Sequence, residues 1–176
     1  MNIEIRKIKA SDWPAFEIYK QDWARDRSPF KNRQVKEYQK ITAENFADWI
    51  LKMQREEMVV DDPDSSTYDR YFALVDEDHF AGVVSCRWQI EKGDLRQTAG
   101  HIGYAVAPSF RGHHLAEKLL RFALEKYKQR GIYHVMISAD EENLASRKTI
   151  EKCAGKLEEM LEFDGHRLCH YWIKLS

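Results

Sequence analysis

One stretch of this sequence, residues 101–116 (HIGYAVAPSFRGHHLA), constrains the fold more than any other. Within it Ile102, Tyr104 and Val106 alternate with small residues, which is the two-residue period of a pleated strand. Pro108 then ends the strand, because proline has no N–H to donate to a neighbouring strand. The sequence therefore predicts a central strand that stops abruptly inside this stretch.

The turn that follows the strand is basic and contains a glycine. Arg111-Gly112 opens a helix that we expect to run to about Arg130. At such a turn the free backbone N–H groups and the positive end of the helix dipole point to the same place, which favours an anion. This signal is weak by itself, since many α/β proteins turn a strand into a helix near an Arg-Gly.

Length and composition predict one cytoplasmic domain that spans residues 1–176 and has a core large enough to need no cross-links. The 28 basic and 29 acidic side chains nearly cancel, so the net charge favours neither nucleic acid nor an anionic membrane as a partner. Cys86, Cys153 and Cys169 are an odd number without CxxC spacing, which argues against a disulfide framework or a zinc cluster and fits a reducing cytosol. The charged first ten residues do not resemble a signal peptide, and no apolar run approaches the ~18 residues of a membrane span.

Periodicity along the chain predicts seven strands and four helices in the order β-α-α-β-β-β-α-β-α-β-β. Strands are expected at 2–8, 71–76, 80–91, 101–107, 133–138, 156–163 and 167–175; helices are expected to begin at Ser11, at Thr42 to Phe46, after Arg111 and at Asn143. The charged segment 25–41 is compatible with a loop or a polar helix, Gly82 marks a bulge, and Asp164-Gly165 indicates a hairpin. This order favours a mixed sheet with helices on both faces.

Two segments, VAPSFRGHHLAEKLL and NLASRKTIEKCAGKLE, resemble the GNAT superfamily of acyl-CoA-dependent N-acetyltransferases, and the resemblance covers roughly residues 71–175. It implies an α/β fold of the α+β type: a mixed, mostly antiparallel sheet of about seven strands with helices on both faces. It also implies direct transfer of an acetyl group from acetyl-CoA to a primary amine, without a metal. Many members of the superfamily are homodimers, which the sequence alone does not establish here.

The family's signature loop, Q/R-x-x-G-x-G/A, corresponds to RGHHLA in this chain. Its first and last positions match, but His114 stands where the family has glycine, and glycine lets the backbone approach the pyrophosphate closely. His114 would then weaken acetyl-CoA binding, add a polar contact to a phosphate, or simply point to solvent. The resemblance implies that the backbone N–H groups of the loop cradle the pyrophosphate: Arg111, Gly112, His113, His114, Leu115 and Ala116.

The resemblance places the rest of the cofactor on two further elements. The backbone of Tyr104 and Val106 should pair with the pantetheine amides as another strand would. Asn143 should bond the pantetheine arm, with Ser146 close by on the same helix. From the residues alone, a helix N-cap is the better explanation of Asn143; its spacing after the loop favours the ligand contact.

The amine must first lose a proton, since a lysine-type ammonium has a pKa of ~10.4. The reaction also requires a hydrogen-bond donor for the oxyanion that develops on the thioester and an acid for the departing thiolate. The N–H of Val106 is the family's usual oxyanion donor. Many relatives supply the acid from a tyrosine seven residues after the Asn143 position, where this chain has Ile150. His101 is a candidate base and Tyr171 a candidate acid, although a histidine in the core and an aromatic in a sheet explain them as well.

The acceptor is the open question at this stage. Arg87, on the strand beside the expected acceptor cleft, could hold a carboxylate or form a surface salt bridge. Residues 9–70 should supply much of the acceptor pocket, and their aromatic residues would suit an amine through cation–π contact or serve as packing. These aromatic residues are Trp13, Trp23, Tyr38, Trp49 and Tyr68.

A second hypothesis is a non-catalytic module on the same fold, which binds acyl-CoA as a sensor or binds a protein partner. His114 and Ile150 are the two departures from the family pattern that favour it. We favour the enzyme, because direct transfer depends mainly on positioning both substrates in one cleft.

Overall fold

A computed structural model describes residues 1–30 and 32–176. Within them, seven strands and five α-helices follow one another in the order β-α-α-α-β-β-β-α-β-α-β-β. They are β1 (Ile3–Arg6), α1 (Trp13–Ala24), α2 (Arg33–Glu37), α3 (Phe46–Glu56), β2 (Tyr68–Val75), β3 (His79–Arg87), β4 (Ile102–Val106), α4 (Leu115–Gln129), β5 (His134–Asp140), α5 (Leu144–Lys152), β6 (Lys156–Phe163) and β7 (His166–Lys174). None of the helices in this part of the chain is long and apolar enough to cross a membrane.

The strands form two antiparallel sheets, in the orders β1-β2-β3-β4 and β5-β7-β6. The sheets meet where an isolated bridge pairs Gly100 with Ile137 and the N–H of His101 donates to the carbonyl of Met136 at 2.8 Å. Apart from this isolated bridge, β4 and β5 belong to different sheets. Strand β4 therefore has a hydrogen-bonded neighbour, β3, on one side only. The predicted α+β class with a mostly antiparallel arrangement is confirmed.

Helices cover both faces of the first sheet because each face is apolar. On one face, α1 and α3 pack the aromatic side chains of Phe16, Tyr19 and Phe46 against Phe72 and Phe80 of the sheet. On the other face, α4 and α5 bury a second apolar cluster that extends into the second sheet. Its buried members include Val84, Leu119, Leu120, Ala123, Ile137, Ile150 and Tyr171.

Helix starts differ from the predictions where the backbone needs an additional turn. A 3₁₀ turn at Ala10–Asp12 precedes α1, so the helix N-cap is Asp12 rather than Ser11. The fourth helix begins at Leu115, four residues after Arg111, because a left-handed residue stands immediately before it.

The segment 25–41, left open between loop and helix, contains a short helix. Asn32 caps α2 by accepting a hydrogen bond from the N–H of Gln34 at 3.1 Å, and Val35 and Tyr38 are buried in the core. The segment therefore forms part of the structure that covers the first sheet.

Two predicted irregularities lie where the sequence indicated them. The register between β2 and β3 shifts at Ala73/Leu74, which places the extra residue next to Gly82. The hairpin between β6 and β7 turns at Asp164 and Gly165, both with positive φ.

The hydroxyl of Tyr127 on α4 holds the backbone together at the point where the two sheets diverge, and removing this hydroxyl should lower stability. Its buried hydroxyl lies 2.8 Å from the carbonyl of Arg87 and 2.7 Å from that of His101. We expect Tyr127→Phe to lower the free energy of unfolding by about 1–2 kcal/mol, because a buried carbonyl loses its donor. Urea denaturation would measure the change. Tyr133→Phe, at a side chain that is 47% exposed, should leave stability unchanged, and equal losses in both variants would contradict this role.

Candidate active site

The free edge of β4 is the geometric centre of the site. The carbonyl of His101 and the N–H of Ala107 both bond to β3, at 2.7 and 2.8 Å. Because successive residues of an antiparallel strand alternate between its two neighbours, the backbone groups of Tyr104 and Val106 point away from β3. They face the gap between the two sheets, where a ligand with amide groups can pair with them.

A cavity of about 620 Å³, which we call the loop cavity, opens on this edge. It lies between the end of β4, the loop that precedes α4 and the first turn of α5. The predicted cofactor-binding residues that line it are Tyr104, Val106, Arg111, Gly112, His114, Leu115, Ala116, Asn143 and Ser146. The structure thus brings together nearly all of the predicted cofactor-binding residues; His113 is exposed and lies outside the lining.

The loop before α4 owes its shape to two residues with positive φ. Gly112 has φ +84°, and the space around it is open, since a Cβ there would have no described atom within 4 Å. His114 has φ +58° and ψ +18° and is the N-cap of α4. The glycine of the family's pattern is therefore explained by backbone conformation, in which a non-glycine residue costs of order 1 kcal/mol or more.

Arg111 secures this loop through its side chain. Two guanidinium nitrogens donate to the two carboxylate oxygens of Asp26 at 2.9 and 3.0 Å, and Nε donates to the carbonyl of Val106 at 3.2 Å. The guanidinium also lies 5.6 Å from the ring centre of Trp23. Its charge is therefore largely committed to Asp26, and the loop offers a ligand mainly backbone N–H groups.

Asn143 and Ser146 place the start of α5 against β4. The side-chain oxygen of Asn143 accepts a hydrogen bond from the N–H of Ser146 at 3.2 Å, which confirms the predicted cap. The Ser146 hydroxyl lies 2.8 Å from the Tyr104 hydroxyl. Burial raises the pKa of Tyr104, so this phenol stays protonated at neutral pH.

A second and larger cavity, of about 1140 Å³, lies over the face of β2, β3 and β4 on which α3 packs. We call it the sheet cavity. Helices α2 and α3, the loop after α3 and the β6–β7 hairpin enclose it. The two cavities meet at the free edge of β4. The residues that line both are Phe30, Asn32, Tyr104, Glu142, Asn143 and Ser146.

Arg87 lies in the wall of the sheet cavity. Its Nε and Nη2 donate to the backbone carbonyls of Gly100 and Ala99 at 2.7 and 3.1 Å. Burial lowers the pKa of its guanidinium. A salt bridge does not hold it, because none of the described carboxylates lies within 4 Å of it.

Several other residues of the sheet cavity belong to no recognisable functional motif. Gln34, Arg70 and Ser85 lie on three separate elements and are joined only by the fold. The Ser85 hydroxyl donates to the side-chain oxygen of Gln34 at 2.6 Å and accepts from Nε of Arg70 at 3.0 Å. No sequence motif links them, so only the strand register and the position of α2 could have identified the group.

His101 lies outside both cavities. Its side chain is 6% exposed, and its Nδ1 accepts a hydrogen bond from the backbone N–H of Met136 at 2.9 Å. Burial, together with the nearby charge of Arg87, lowers the pKa of His101 to about 4. This geometry does not favour the proposed role of base, because the lone pair that would take a proton is already occupied.

Tyr171 is likewise fully buried and outside both cavities. Its hydroxyl accepts a hydrogen bond from Nε of Arg147 and donates to Glu151, both at 2.9 Å, and burial raises its pKa. Ile150, in the position of the family's tyrosine, is also fully buried. The geometry therefore does not favour Tyr171 as the acid.

The aromatic residues expected in the acceptor pocket are divided among three places. Trp49 and Tyr68 line the sheet cavity, and Trp23 lines the loop cavity. Tyr38 is fully buried, and Trp13 packs against the same core. An aromatic wall thus exists, but it has fewer members than predicted.

Among residues 1–30 and 32–176, no three or more His, Cys, Asp or Glu side chains are grouped in a way that could hold a metal ion. Cys86, Cys153 and Cys169 are buried and unpaired.

Comparison with known proteins identifies the class. Residues 16–155 match the model of the acetyltransferase (GNAT) family, so the chain belongs to this family. N-alpha-acetyltransferase 30 of Schizosaccharomyces pombe is 28% identical over 82 residues, which are 46% of this chain and 53% of that protein. The chain thus aligns with about half the length of this curated relative.

Two solved structures share the fold. RimL, a ribosomal L7/L12 alpha-N-protein acetyltransferase in complex with coenzyme A, superposes with a TM-score of 0.72 at 18% identity and covers 99% of this chain and 95% of its own. The protein yncA from Salmonella typhimurium, solved with acetyl-CoA, has a TM-score of 0.61 at 16% identity and covers 99% and 94%. At these sequence identities the comparison with solved structures shows a shared fold only. The proposal about activity therefore depends on the two cavities described above.

The left-handed conformation of His114 generates a stability prediction. We expect His114→Gly to raise the free energy of unfolding by about 1 kcal/mol, since glycine adopts positive φ without steric cost but loses more entropy on folding. Urea denaturation would measure the gain. His113→Gly is the matched control, because His113 does not have a positive φ and should lose about 0.5–1 kcal/mol instead. Equal effects in both variants would contradict the interpretation.

The buried His101 generates a pH prediction. Between pH 6.5 and about 4 the unfolded chain binds a proton on this imidazole that the folded protein excludes, so stability falls as the pH is lowered through this window. The loss amounts to at most about 3 kcal/mol. His101→Asn, which keeps an oxygen acceptor for the Met136 N–H, should flatten this part of the stability curve. A wild-type curve as flat as that of the variant would contradict the prediction.

Proposed function

We propose that this GNAT-family acetyltransferase moves an acetyl group from acetyl-CoA directly to a primary amine of a second substrate. The observation that carries the proposal is the junction of two cavities at the free edge of β4. One cavity offers backbone N–H groups and a helix N-terminus, and the other offers polar side chains. Such an arrangement lets two substrates meet without a covalent enzyme intermediate.

The residues of the loop cavity fit acetyl-CoA. The open space around Gly112 allows phosphate oxygens to approach the backbone, and the N-terminus of α4 favours their negative charge. The outward-facing backbone of Tyr104 and Val106 can pair with the pantetheine amides, and Asn143 lies where the arm would pass. When bound, acetyl-CoA supplies an activated acetyl thioester.

We assign supporting roles in the transfer to three groups of this chain. The N–H of Val106 points to the gap, where it can donate to the oxyanion that develops on the thioester carbonyl. Ser146, hydrogen-bonded to the Tyr104 hydroxyl, lines both cavities and can deliver a proton to the departing thiolate. Glu142 also lines both cavities, and its carboxylate can accept a proton from the incoming ammonium.

The alternative function is a non-catalytic module on the same fold, which binds acyl-CoA as a sensor or binds a protein partner. The burial of His101, Tyr171 and Ile150 favours it, because the positions from which the sequence predicted a base or an acid do not reach the cavities. The enzyme remains the better proposal, since the two cavities meet at the edge of β4, where an acyl donor and an acceptor can be held in contact.

The names of the relatives suggest which amine to test first. N-alpha-acetyltransferase 30 and RimL are named for α-amino groups of proteins. We therefore propose peptide N-termini as the first acceptors, with lysine and polyamines as comparison acceptors. A cytoplasmic location and a homodimeric state also stay proposals; the three unpaired cysteines support the former.

Binding and turnover test the proposal together. We expect millimolar acetyl-CoA to raise the melting temperature, and at least one amine to release free CoA that a thiol reagent detects. Asn143→Ala should raise the KM for acetyl-CoA about tenfold, because a side-chain contact to the pantetheine arm is lost. It should also cost about 1 kcal/mol of stability, since the cap is lost.

Asn45→Ala is the control, since Asn45 precedes α3 and lines neither cavity. It should leave the KM for acetyl-CoA unchanged. No melting shift would contradict the proposal, and saturable binding without thiol release across the amine panel would support the binding module instead.

A further inference from the structure

The floor of the sheet cavity carries two arginines on adjacent strands. Arg70 of β2 lies directly opposite Ser85 of β3, and Arg87 follows two residues later on the same face of the sheet. The hydrogen bonds of both guanidinium groups to oxygen go to neutral acceptors: the Ser85 hydroxyl for Arg70, and the carbonyls of Gly100 and Ala99 for Arg87. In the part of the chain that the structure describes, neither arginine has a carboxylate within 4 Å.

A buried amide completes the group. Gln34 is 5% exposed and lines the sheet cavity, and its side-chain oxygen accepts the hydrogen bond from Ser85. Its Nε2 has no hydrogen-bond partner among the described residues. A buried N–H group without an acceptor costs about 1–3 kcal/mol, so this position requires an oxygen that the protein does not supply.

Two like charges without a counterion are unfavourable at a half-buried position. The charge of Arg70 contributes, after burial, to lowering the pKa of Arg87. A guanidinium group in a protein is a cation, since it is not deprotonated there. An anion bound between them would remove the repulsion.

We infer that the amine acceptor carries a carboxylate, and that Arg70, Arg87 and Gln34 bind this carboxylate in the sheet cavity. The inference rests on the proposed function and names the chemical class of its second substrate. A carboxylate matches the donors because guanidinium and amide N–H groups both bond well to its two planar oxygens.

The position of Arg87 relates the carboxylate to the reaction. Its Nη1 and Nη2 lie 3.5 Å from the place where a Cβ on Gly103 would be, and the Nδ2 of Asn32 lies 3.4 Å from it. Gly103 directly precedes Tyr104 at the junction of the two cavities. A carboxylate held there leaves an amine a few bonds away within reach of the β4 edge. Free amino acids and peptides that begin with an acidic residue both have this chemistry.

Matched acceptors test the inference in the wild-type protein. Alanine against alaninamide tests the α-carboxylate, and Asp-Ala-Ala-amide against Asn-Ala-Ala-amide tests a side-chain carboxylate. We expect the carboxylate member of at least one pair to have a KM at least tenfold lower, and the pair that responds identifies the source. Equal KM values in both pairs, with turnover intact, would overturn the inference and leave the proposed function standing.

Variants locate the effect. Gln34→Glu replaces the unpartnered amide with a carboxylate beside the arginines, and Arg70→Gln removes one charge. Each should raise the KM of the carboxylate acceptor at least tenfold, while the KM of its amide partner and that of acetyl-CoA change less than twofold. Arg167→Gln, at an exposed arginine that pairs with Glu141 at 3.4 Å, should change none of these values. Melting temperatures would establish that each variant is folded.

If no amine is acetylated, the proposed function itself fails, and a binding experiment then tests the carboxylate site independently. Calorimetry with N-acetylaspartate and with its uncharged diamide then measures carboxylate recognition directly. Tighter binding of the acid, lost in Gln34→Glu, would support the carboxylate site. Equal affinities, or no binding of either compound, would overturn it.

Discussion

Beyond the bridge at Gly100, the backbone of β4 is hydrogen-bonded to a strand on one side only, and its outward-facing groups must find other partners. Two side chains supply some of them: Asn32 Nδ2 lies 3.5 Å from the carbonyl of Tyr104, and Arg111 donates to that of Val106. A ligand with amide groups can satisfy the rest as an added strand would. The unpaired edge therefore creates both cavities, because each opens where β5 does not continue the first sheet.

Packing on both faces keeps this gap open. The aromatic cluster under α1 and α3 and the second apolar cluster under α4 and α5 bury the two faces of the first sheet independently. The hydroxyl of Tyr127 ties α4 to the ends of β3 and β4 at the point of divergence. The edge of β4 is thus held by rigid elements, which suits a reaction that depends on placing two substrates in contact.

The two sides of the gap also differ in their electrostatics. On the loop side, Asp26 neutralises Arg111, so the remaining attraction for phosphate comes from backbone N–H groups and the dipole of α4. On the sheet side, Arg70 and Arg87 keep their charges without a carboxylate within 4 Å in the described chain. An acyl donor and an anionic acceptor can therefore be held by separate positive regions on either side of one strand.

How far the site could be predicted from the sequence depended on whether its residues are neighbours in the chain. The loop from Arg111 to Ala116, the cap at Asn143 and the strand with Tyr104 and Val106 are local patterns, and the structure brings them together around one cavity. His101 and Tyr171 carry suitable side chains; Tyr171 lies on the predicted strand β7, and His101 immediately precedes β4. Both side chains are buried in the interior. Sequence alternation shows which residues share a face of a sheet, but it does not show what packs against that face.

The sequence by itself determined the order of the strands along the chain, the glycine-containing turn before α4 and the family, since period, turn residues and motif spacing are local properties. It indicated the position of His114 as an irregularity, but the left-handed backbone that makes glycine favourable there became visible only in the structure. Only the tertiary structure decided that Gln34, Arg70 and Arg87 face one cavity. They lie on a helix and two strands, and the strand register and the packing of α2, which arise from contacts distant in sequence, bring them together.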